Sequence, residues 1–175
     1  MGDPAVTGTP VLTFRLAGQE HALPVGDVVE VVRMAAVTPL PEASPWVGGV
    51  LNYRGRVIPV VDARARFGMP RRAPDLSTPI VVVRADDLAA GVVVDEAVDV
   101  VTLPGAAVRP PDRLGAESPA VSAVARQGER LILVLDAARL CAFDAGPPVA
   151  EPPAAEPPAA EPPAAEAPAA GGRGW

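Results

Sequence analysis

Glu30 and Arg54 carry opposite charges, and each lies beside a run of β-branched residues typical of buried strands. An arginine can hold a carboxylate through two parallel hydrogen bonds while its aliphatic stem covers apolar surface. If Val28 or Val31 is exposed beside the pair, the group forms an apolar patch with a polar rim, as protein interfaces do. The pattern predicts a protein-binding surface. The alternative is an incidental solvent-exposed ion pair worth about 0–1 kcal/mol.

Residues suited to catalysis or metal binding are few. His21 is the single histidine, and no serine lies in the Gly-x-Ser-x-Gly motif of a hydrolase. We therefore expect His21 to be an exposed or half-buried strand residue and not a general base. The single cysteine, Cys141, lies in an apolar run that favours a small buried side chain. The acidic pairs Asp86-Asp87 and Asp95-Glu96 fall at turn signals, which favours solvated turns over a cation site. We therefore assign no catalytic residue, no metal and no cofactor.

Charge and hydropathy exclude further classes of function. The net charge is −6, so there is no electrostatic case for binding nucleic acid or an anionic membrane. Residues 1–9, expected to be flexible, lack the basic and apolar regions of a secretion signal. No apolar stretch approaches the ~18–20 residues of a membrane span. These features predict a cytoplasmic protein without direct membrane insertion.

Residues 146–175 differ in composition from the rest of the chain. The sequence Glu-Pro-Pro-Ala-Ala recurs there, beginning at Glu151, Glu156 and Glu161. Adjacent prolines favour extended polyproline II, and alanine buries too little surface to offset the entropy of ordering. We predict a disordered, acidic low-complexity tail. A spacer without a specific partner and a docking segment both remain open as its role.

The segment 52–62 is predicted to be the rigid element that presents Arg54 and Arg56. Its asparagine and Gly55 favour a tight turn, and the β-branched run that follows favours a buried strand. Asp62 can then accept hydrogen bonds from the free N–H groups of a short helix. Both arginines should therefore lie on a rigid hairpin beside the core.

Strand signals dominate the remainder. Val11–Leu16 alternates in the manner of a half-buried strand, with His21–Val25 as its hairpin partner. Asp27 is expected to cap one helical turn, and Asp136 a short helix near the end of the domain.

Two parts of the chain resemble each other. Residues 25–32 align with 94–101, and residues 57–62 align with 131–136. This alignment indicates one unit that is duplicated in register, which predicts two similar small β-barrels. Chance similarity between valine-rich strands is the alternative.

From residue 47 to 64 the chain reads VGGVLNYRGRVIPVVDAR. This segment, preceded by a proline-rich loop, resembles the CheW family of bacterial chemotaxis adaptors, and the resemblance covers roughly residues 10–143. It implies an all-β fold with short helical turns, made of two SH3-like five-stranded β-barrels packed together. The domain would span 10–145, with a first barrel at about 10–72 and a second at about 78–143.

The resemblance also implies a function without catalysis. Such proteins bridge the cytoplasmic tips of chemoreceptors (methyl-accepting chemotaxis proteins) to a CheA-type histidine kinase, in association with membrane-bound receptor arrays. The conserved family arginine falls on Arg54, the acid that pairs with it on Glu30, and a position in the receptor-contacting strand on Val28. Arg56 joins them as a candidate interaction residue.

We assign structural roles to Gly55, Pro59, Asp62 and Asp136, because both repeats need the strand and the capping aspartate. There are departures from the family pattern: Tyr53 and Ala63 stand where leucine is usual, and Ser122-Ala123 where Gly-Val is usual. These departures are compatible with an adaptor specialised for an alternative chemosensory array. Two other functions stay open: an array spacer or competitor in an alternative chemosensory system that binds receptors without kinase, and a small-molecule-binding β-barrel.

Overall fold

The computed structural model describes residues 8–34, 36–41, 43–111, 118 and 120–142. Within them the chain forms twelve strands and two four-residue helices, α1 (Ala63–Arg66) and α2 (Ala137–Leu140), with single 3-10 turns at Val25–Asp27 and Gly105–Ala107. The strands are β1 (Gly8–Leu16), β2 (Gln19–Pro24), β3 (Val28–Arg33), β4 (Val37–Thr38), β5 (Val47–Tyr53), β6 (Arg56–Asp62), β7 (Pro79–Ala85), β8 (Leu88–Val93), β9 (Glu96–Pro104), β10 (Val108–Arg109), β11 (Val121–Gln127) and β12 (Arg130–Leu135).

The strands form two six-stranded sheets with the same topology. The first barrel has the order β4-β5-β6-β8-β7-β3, and the second has the order β10-β11-β12-β2-β1-β9. Each contains one parallel pair, β6 with β8 and β12 with β2. The predicted all-β fold is therefore confirmed, and each sheet has one two-residue strand beyond the five expected. The matching orders show that the alignment of the two halves reflects a structural repeat.

The predicted boundaries of the barrels, near residues 72 and 78, are wrong. The hairpin β1–β2 joins β9–β12, and the hairpin β7–β8 joins β3–β6. Each repeat therefore gives its first hairpin to the barrel of the other repeat. The prediction failed because local pattern identifies a hairpin but not the sheet edge that the hairpin pairs with.

The largest hydrophobic cluster lies between the barrels. It includes Leu12, Phe14 and Leu16 of β1 and residues of β6, β7 and β8, whereas Val11 belongs to a separate cluster inside the second barrel. The strand β1 is thus buried on both faces from Val11 to Phe14, and the expectation of a half-buried strand is wrong there. A strand between two cores has no solvent face, so its alternation does not report exposure.

Both short helices begin at the predicted aspartates. Asp62 Oδ1 accepts a hydrogen bond from Ala65 N at 3.1 Å, and Asp136 Oδ1 accepts one from Arg139 N at 2.9 Å. Asp27 does not cap: Pro24 occupies the N-cap of that 3-10 turn, and no side chain bonds to it.

Pro59 lies within β6, where it pairs with Val50 of β5. The parallel pairing of β6 with β8 begins one residue later, at Val60 and Gly91. Pro59 therefore sits just outside the ladder with β8, where its missing N–H costs least.

Residues 1–7 and 143–175, which include the predicted flexible N-terminus and the low-complexity tail, lie outside the described residues. Among the helices that the structure describes, none has the length and apolar character to cross a membrane. In the same part of the chain, no three His, Cys, Asp or Glu side chains come together in a way that could hold a metal ion.

Candidate functional site

The turn between β5 and β6 holds Arg54 in an unusual backbone conformation. Arg54 has φ +51° and Gly55 has φ +78°, and Gly55 N donates to Asn52 Oδ1 at 3.1 Å. Two successive positive φ values match the two-residue hairpin turn whose twist suits β-strands. The predicted turn is confirmed. A non-glycine residue with positive φ costs of order 1–3 kcal/mol, and such residues cluster at functional positions.

Arg54 and Glu30 form the ion pair expected from the sequence. Arg54 Nη2 lies 2.5 Å from Glu30 Oε2, and the two side chains are 70% and 31% exposed. Glu30 lies on β3, an edge strand of the first barrel, so the pair connects that edge to the β5–β6 hairpin. Because both groups are open to solvent, the pair adds little to the free energy of unfolding. The guanidinium remains available to a partner.

Tyr53 lies directly beneath this pair. The Arg54 guanidinium carbon lies 5.2 Å from the centre of the Tyr53 ring, within the range of a cation–π contact. The Tyr53 hydroxyl oxygen is enclosed and makes no hydrogen bond of standard geometry, yet Glu30 is close enough to affect it. Burial raises the pKa of Tyr53 above its ordinary value, and Glu30 adds to the shift while Arg54 opposes it. The Tyr53 ring therefore packs against the Arg54 guanidinium.

The strand β3 carries exposed valines on either side of Glu30 in the sequence, on the alternate face of the strand. Val29 and Val31 are 43% and 41% exposed, whereas Val28 is half-buried and packs against the inter-barrel core. The sequence named Val31 and Val28 as candidates but missed Val29. Burial along β3 alternates residue by residue, so Val29 is exposed together with Val31, whereas Val28 shares the less exposed face with Glu30. The sequence reading paired Val28 with Val31, which lie on opposite faces of the strand, and therefore missed Val29.

Arg56 begins β6, is exposed, and makes no ion pair with a residue that the structure describes. Val57 beside it is 43% exposed. Glu30, Arg54 and Arg56 therefore lie on one barrel, and the structure brings Glu30 and Arg54 into contact.

His21 is buried, and the expectation of an exposed or half-buried residue is wrong. It is 1% exposed, and its ring lies between Phe14 and Phe67, with centroids 5.8 Å and 5.6 Å away. Nδ1 lies 3.0 Å from the carbonyl oxygen of Gln19. Burial lowers the pKa of His21 below its ordinary value. The histidine is part of the inter-barrel core, because a neutral imidazole packs there as an aromatic ring.

We expect His21 to make folding sensitive to mild acid. Since its folded-state pKa lies below the unfolded value, the unfolded chain binds more protons below about pH 6.5, and the free energy of unfolding falls as pH decreases. The slope from this one group cannot exceed about 1.4 kcal/mol per pH unit. Urea unfolding at several pH values between 5 and 7.5 measures it.

The variant His21→Gln removes the titrating ring and should flatten this dependence, whatever its effect on stability at pH 7.5. Carboxylates whose pKa values are lowered, such as Asp95, lose their contribution only at more acidic pH. Parallel pH profiles for the wild type and the variant would contradict the assignment.

Cys141 is buried at 3% exposure, as the sequence predicted. Burial raises the pKa of the Cys141 thiol to about 12, so the reactive thiolate is scarce at neutral pH. We expect a thiol reagent at pH 7.5 to label the native protein at least about a hundredfold more slowly than the protein in urea. Equal labelling rates would contradict this burial.

Asp95 is not the solvated turn residue that the sequence predicted. Arg64 Nε and Nη2 donate to its two carboxylate oxygens at 2.6 Å and 2.7 Å, and Ala17 N donates to Oδ2 at 2.7 Å. Hydrogen bonds from Arg64 hold the pKa of Asp95 below its ordinary value. This contact ties α1 of one barrel to the β1–β2 hairpin of the other. Asp86-Asp87 does form an exposed turn, as expected.

A concave site beside this contact is lined by Arg64, Arg72, Asp75 and Asp95, among others. Its volume is about 50 Å³, whereas pockets for small-molecule ligands enclose about 300–1,000 Å³. The site is too small for a metabolite and does not support the small-molecule alternative.

Comparisons with known proteins agree with this architecture. The profile of the CheW-like domain matches residues 10–144. The chain is 30% identical over 133 residues to Chemotaxis protein CheW of Bacillus subtilis, covering 75% of this chain and 85% of that protein. It is 35% identical over 92 residues to Protein PilI of Pseudomonas aeruginosa, covering 53% of this chain and 52% of that protein.

A solved structure shows the same fold. The crystal structure of the scaffolding protein TtCheW from Thermoanaerobacter tengcongensis superimposes with a TM-score of 0.72 at 28% identity, covering 77% of this chain and 92% of that one. With two barrels of matching topology, an arginine–glutamate pair on one of them and a family match over most of the chain, this protein belongs to the CheW-like domain family of chemotaxis adaptors.

Proposed function

We propose that this chain couples the cytoplasmic tips of chemoreceptors to a CheA-type histidine kinase, as a non-catalytic adaptor within receptor arrays. The observation that carries the proposal is the Arg54–Glu30 pair, held on the β5–β6 turn in a protein of this family. The pair is open to solvent and adds little to the free energy of unfolding, so it is not needed for the fold alone. A contact outside the chain is therefore the best explanation of the pair.

We assign the receptor contact to the surface formed by Val28, Val29, Glu30, Val31 and Arg54, called here the β3 surface. Its exposed valines supply apolar area, and the ion pair supplies a polar rim. Charged rims fix the register of a complex, while apolar area supplies most of the affinity. Arg56 lies beside this surface and is assigned to the kinase under the same proposal.

Direct binding measurements test the two contacts separately. We expect the purified chain to bind a receptor-tip fragment and also the regulatory domain of the kinase. Binding of the receptor alone would favour the spacer or competitor alternative over the adaptor. Binding of neither protein would overturn the proposed function.

Glu30→Gln keeps the shape of the side chain and removes its charge. We expect weaker binding of the receptor tip, because Arg54 loses the partner that orients it, while kinase binding stays near the wild-type value. Unchanged receptor affinity would remove Glu30 from the site.

A further inference from the structure

The repeat gives every position of one barrel an equivalent in the other. Arg15 pairs with Glu20 in the β1–β2 hairpin, and Arg84 pairs with Ala89 in the β7–β8 hairpin. Across the parallel pairs, Val134 lies beside Ala22, as Val60 lies beside Gly91. Glu20 and Ala89 are therefore equivalent, as are Arg15 and Arg84. Val134 and Val60 are therefore equivalent, and so are Arg130 and Arg56, which lie four residues before them on β12 and β6.

In the second barrel these positions form a charge network at the end where the hairpin turns lie. Arg130 Nε and Nη2 each donate to a carboxylate oxygen of Glu20 at 2.9 Å, and Arg15 Nη2 lies 3.8 Å from the same carboxylate. Arg15 also pairs with Glu96 of β9 at 3.1 Å. The Glu20 side chain is only 12% exposed, so it is a carboxylate enclosed between two arginines.

The first barrel has the arginines but not the carboxylate. Arg56 and Arg84 are exposed, and position 89 between them is alanine. Neither arginine forms an ion pair with any residue that the structure describes, and Asp27, which takes the position of Glu96, lies beyond 4 Å of Arg84. Two exposed arginines therefore lie on β6 and β7, the strands on either side of β8, at positions whose equivalents hold a carboxylate in the second barrel.

We propose that a carboxylate side chain of the kinase regulatory domain occupies this position, between Arg56 and Arg84, when the complex forms. The proposal rests on the adaptor function above and names the chemistry of its kinase contact. The kinase is chosen because Arg56 is assigned to it above, and neither Arg56 nor Arg84 belongs to the β3 surface assigned to the receptor. Leu88 and Val57, 62% and 43% exposed, add apolar area at the same end.

The physical reason is charge complementarity. A carboxylate held by two guanidinium groups and shielded by a partner gains charge-assisted hydrogen bonds that neither surface makes alone. Removing one partner from such a contact raises the dissociation rate. In the second barrel two arginines at the equivalent positions do hold a carboxylate, that of Glu20. The ladder of β6 with β8 begins two residues later than that of β12 with β2, which leaves the position beside Ala89 outside the paired strands.

Ala89→Glu supplies the missing carboxylate from within the chain, and Ala89→Gln is the uncharged control of the same size. We expect Ala89→Glu to weaken binding of the kinase regulatory domain at least about tenfold relative to Ala89→Gln, because Arg56 and Arg84 are already neutralised. Receptor-tip binding should be the same for both variants. Ala89→Glu should also unfold at higher urea than Ala89→Gln, with a difference that shrinks in 1 M salt.

Equal kinase affinity for the two variants would overturn this assignment while leaving the adaptor function intact. Loss of receptor binding in place of kinase binding would also overturn it, because the occupant would then belong to the receptor. If the wild-type chain fails to bind the kinase, the proposed function itself fails and this assignment fails with it. We expect Arg56→Gln and Arg84→Gln, each alone and both together, to reproduce the loss of kinase affinity caused by Ala89→Glu.

Discussion

Arg54→Asn is expected to lower receptor-tip affinity at least about tenfold while leaving the free energy of unfolding within about 1 kcal/mol of wild type. The substitution removes the guanidinium, its pair with Glu30 and its contact with the Tyr53 ring. It also creates Asn-Gly, the favoured sequence for this turn. Because asparagine adopts the φ of +51° at position 54 with less strain, the stability gained offsets the stability lost with the contacts of Arg54. Titration calorimetry with the receptor tip and urea unfolding measure the two quantities on one preparation.

The turn between β1 and β2 provides a matched control. Ala17 and Gly18 there have φ +50° and +83°, nearly the values at Arg54 and Gly55. Ala17→Asn therefore makes the same Asn-Gly turn in the other barrel, and should raise stability without changing receptor affinity. Wild-type receptor affinity for Arg54→Asn would show that the pair with Glu30 is an incidental surface contact.

Gly49→Ala is expected to reduce the free energy of unfolding by about 2–4 kcal/mol, the largest effect of any substitution considered. Gly49 has φ +140°, and a Cβ atom there would lie 2.2 Å from the carbonyl oxygen of Thr38. That atom is backbone in β4, so it cannot move aside as a flexible side chain would. The strand β4 would be pushed off β5, which leads into the turn that carries Arg54.

Gly48→Ala tests whether the loss in the free energy of unfolding comes from the close approach at position 49 or from replacing any glycine of β5. A Cβ at position 48 would lie 3.6 Å from Val60 O, an ordinary van der Waals contact, and we expect a change below about 1 kcal/mol. Chemical denaturation of both variants makes the comparison. Similar midpoints for the two would contradict the close approach of β4 to β5.

Features that depend on neighbouring residues were predictable from the sequence. The Asn52–Gly55 turn and the caps at Asp62 and Asp136 formed as expected, because each is fixed by hydrogen bonds within a few residues. The duplication was also readable, because both repeats retain the same pattern of strand and capped helix.

Features that depend on distant pairing were not predictable. The exchange of hairpins is decided where β2 meets β12 and β8 meets β6, and no local signal encodes those edges. The burial of His21 follows from that exchange, because it places β2 between the two cores.

The Glu30–Arg54 pair was predicted from charge type and family resemblance, but its geometry was not. The predicted tight turn accounts for the positive φ at Arg54. The contact with Glu30 depends on where β3 lies in the barrel, which no local signal encodes. The Arg64–Asp95 contact was missed for a different reason: its partners lie on α1 and on the β8–β9 connection, which come together only when both barrels are assembled.

The most direct test of the coupling claim is sedimentation of the kinase with receptor-containing membranes, with and without this chain. We predict that a CheA-type kinase pellets with the membranes when the wild-type chain is present, and stays largely in the supernatant when the chain is absent or carries Arg54→Asn. The claim would be contradicted if the chain itself pelleted with the receptors while the kinase remained in the supernatant.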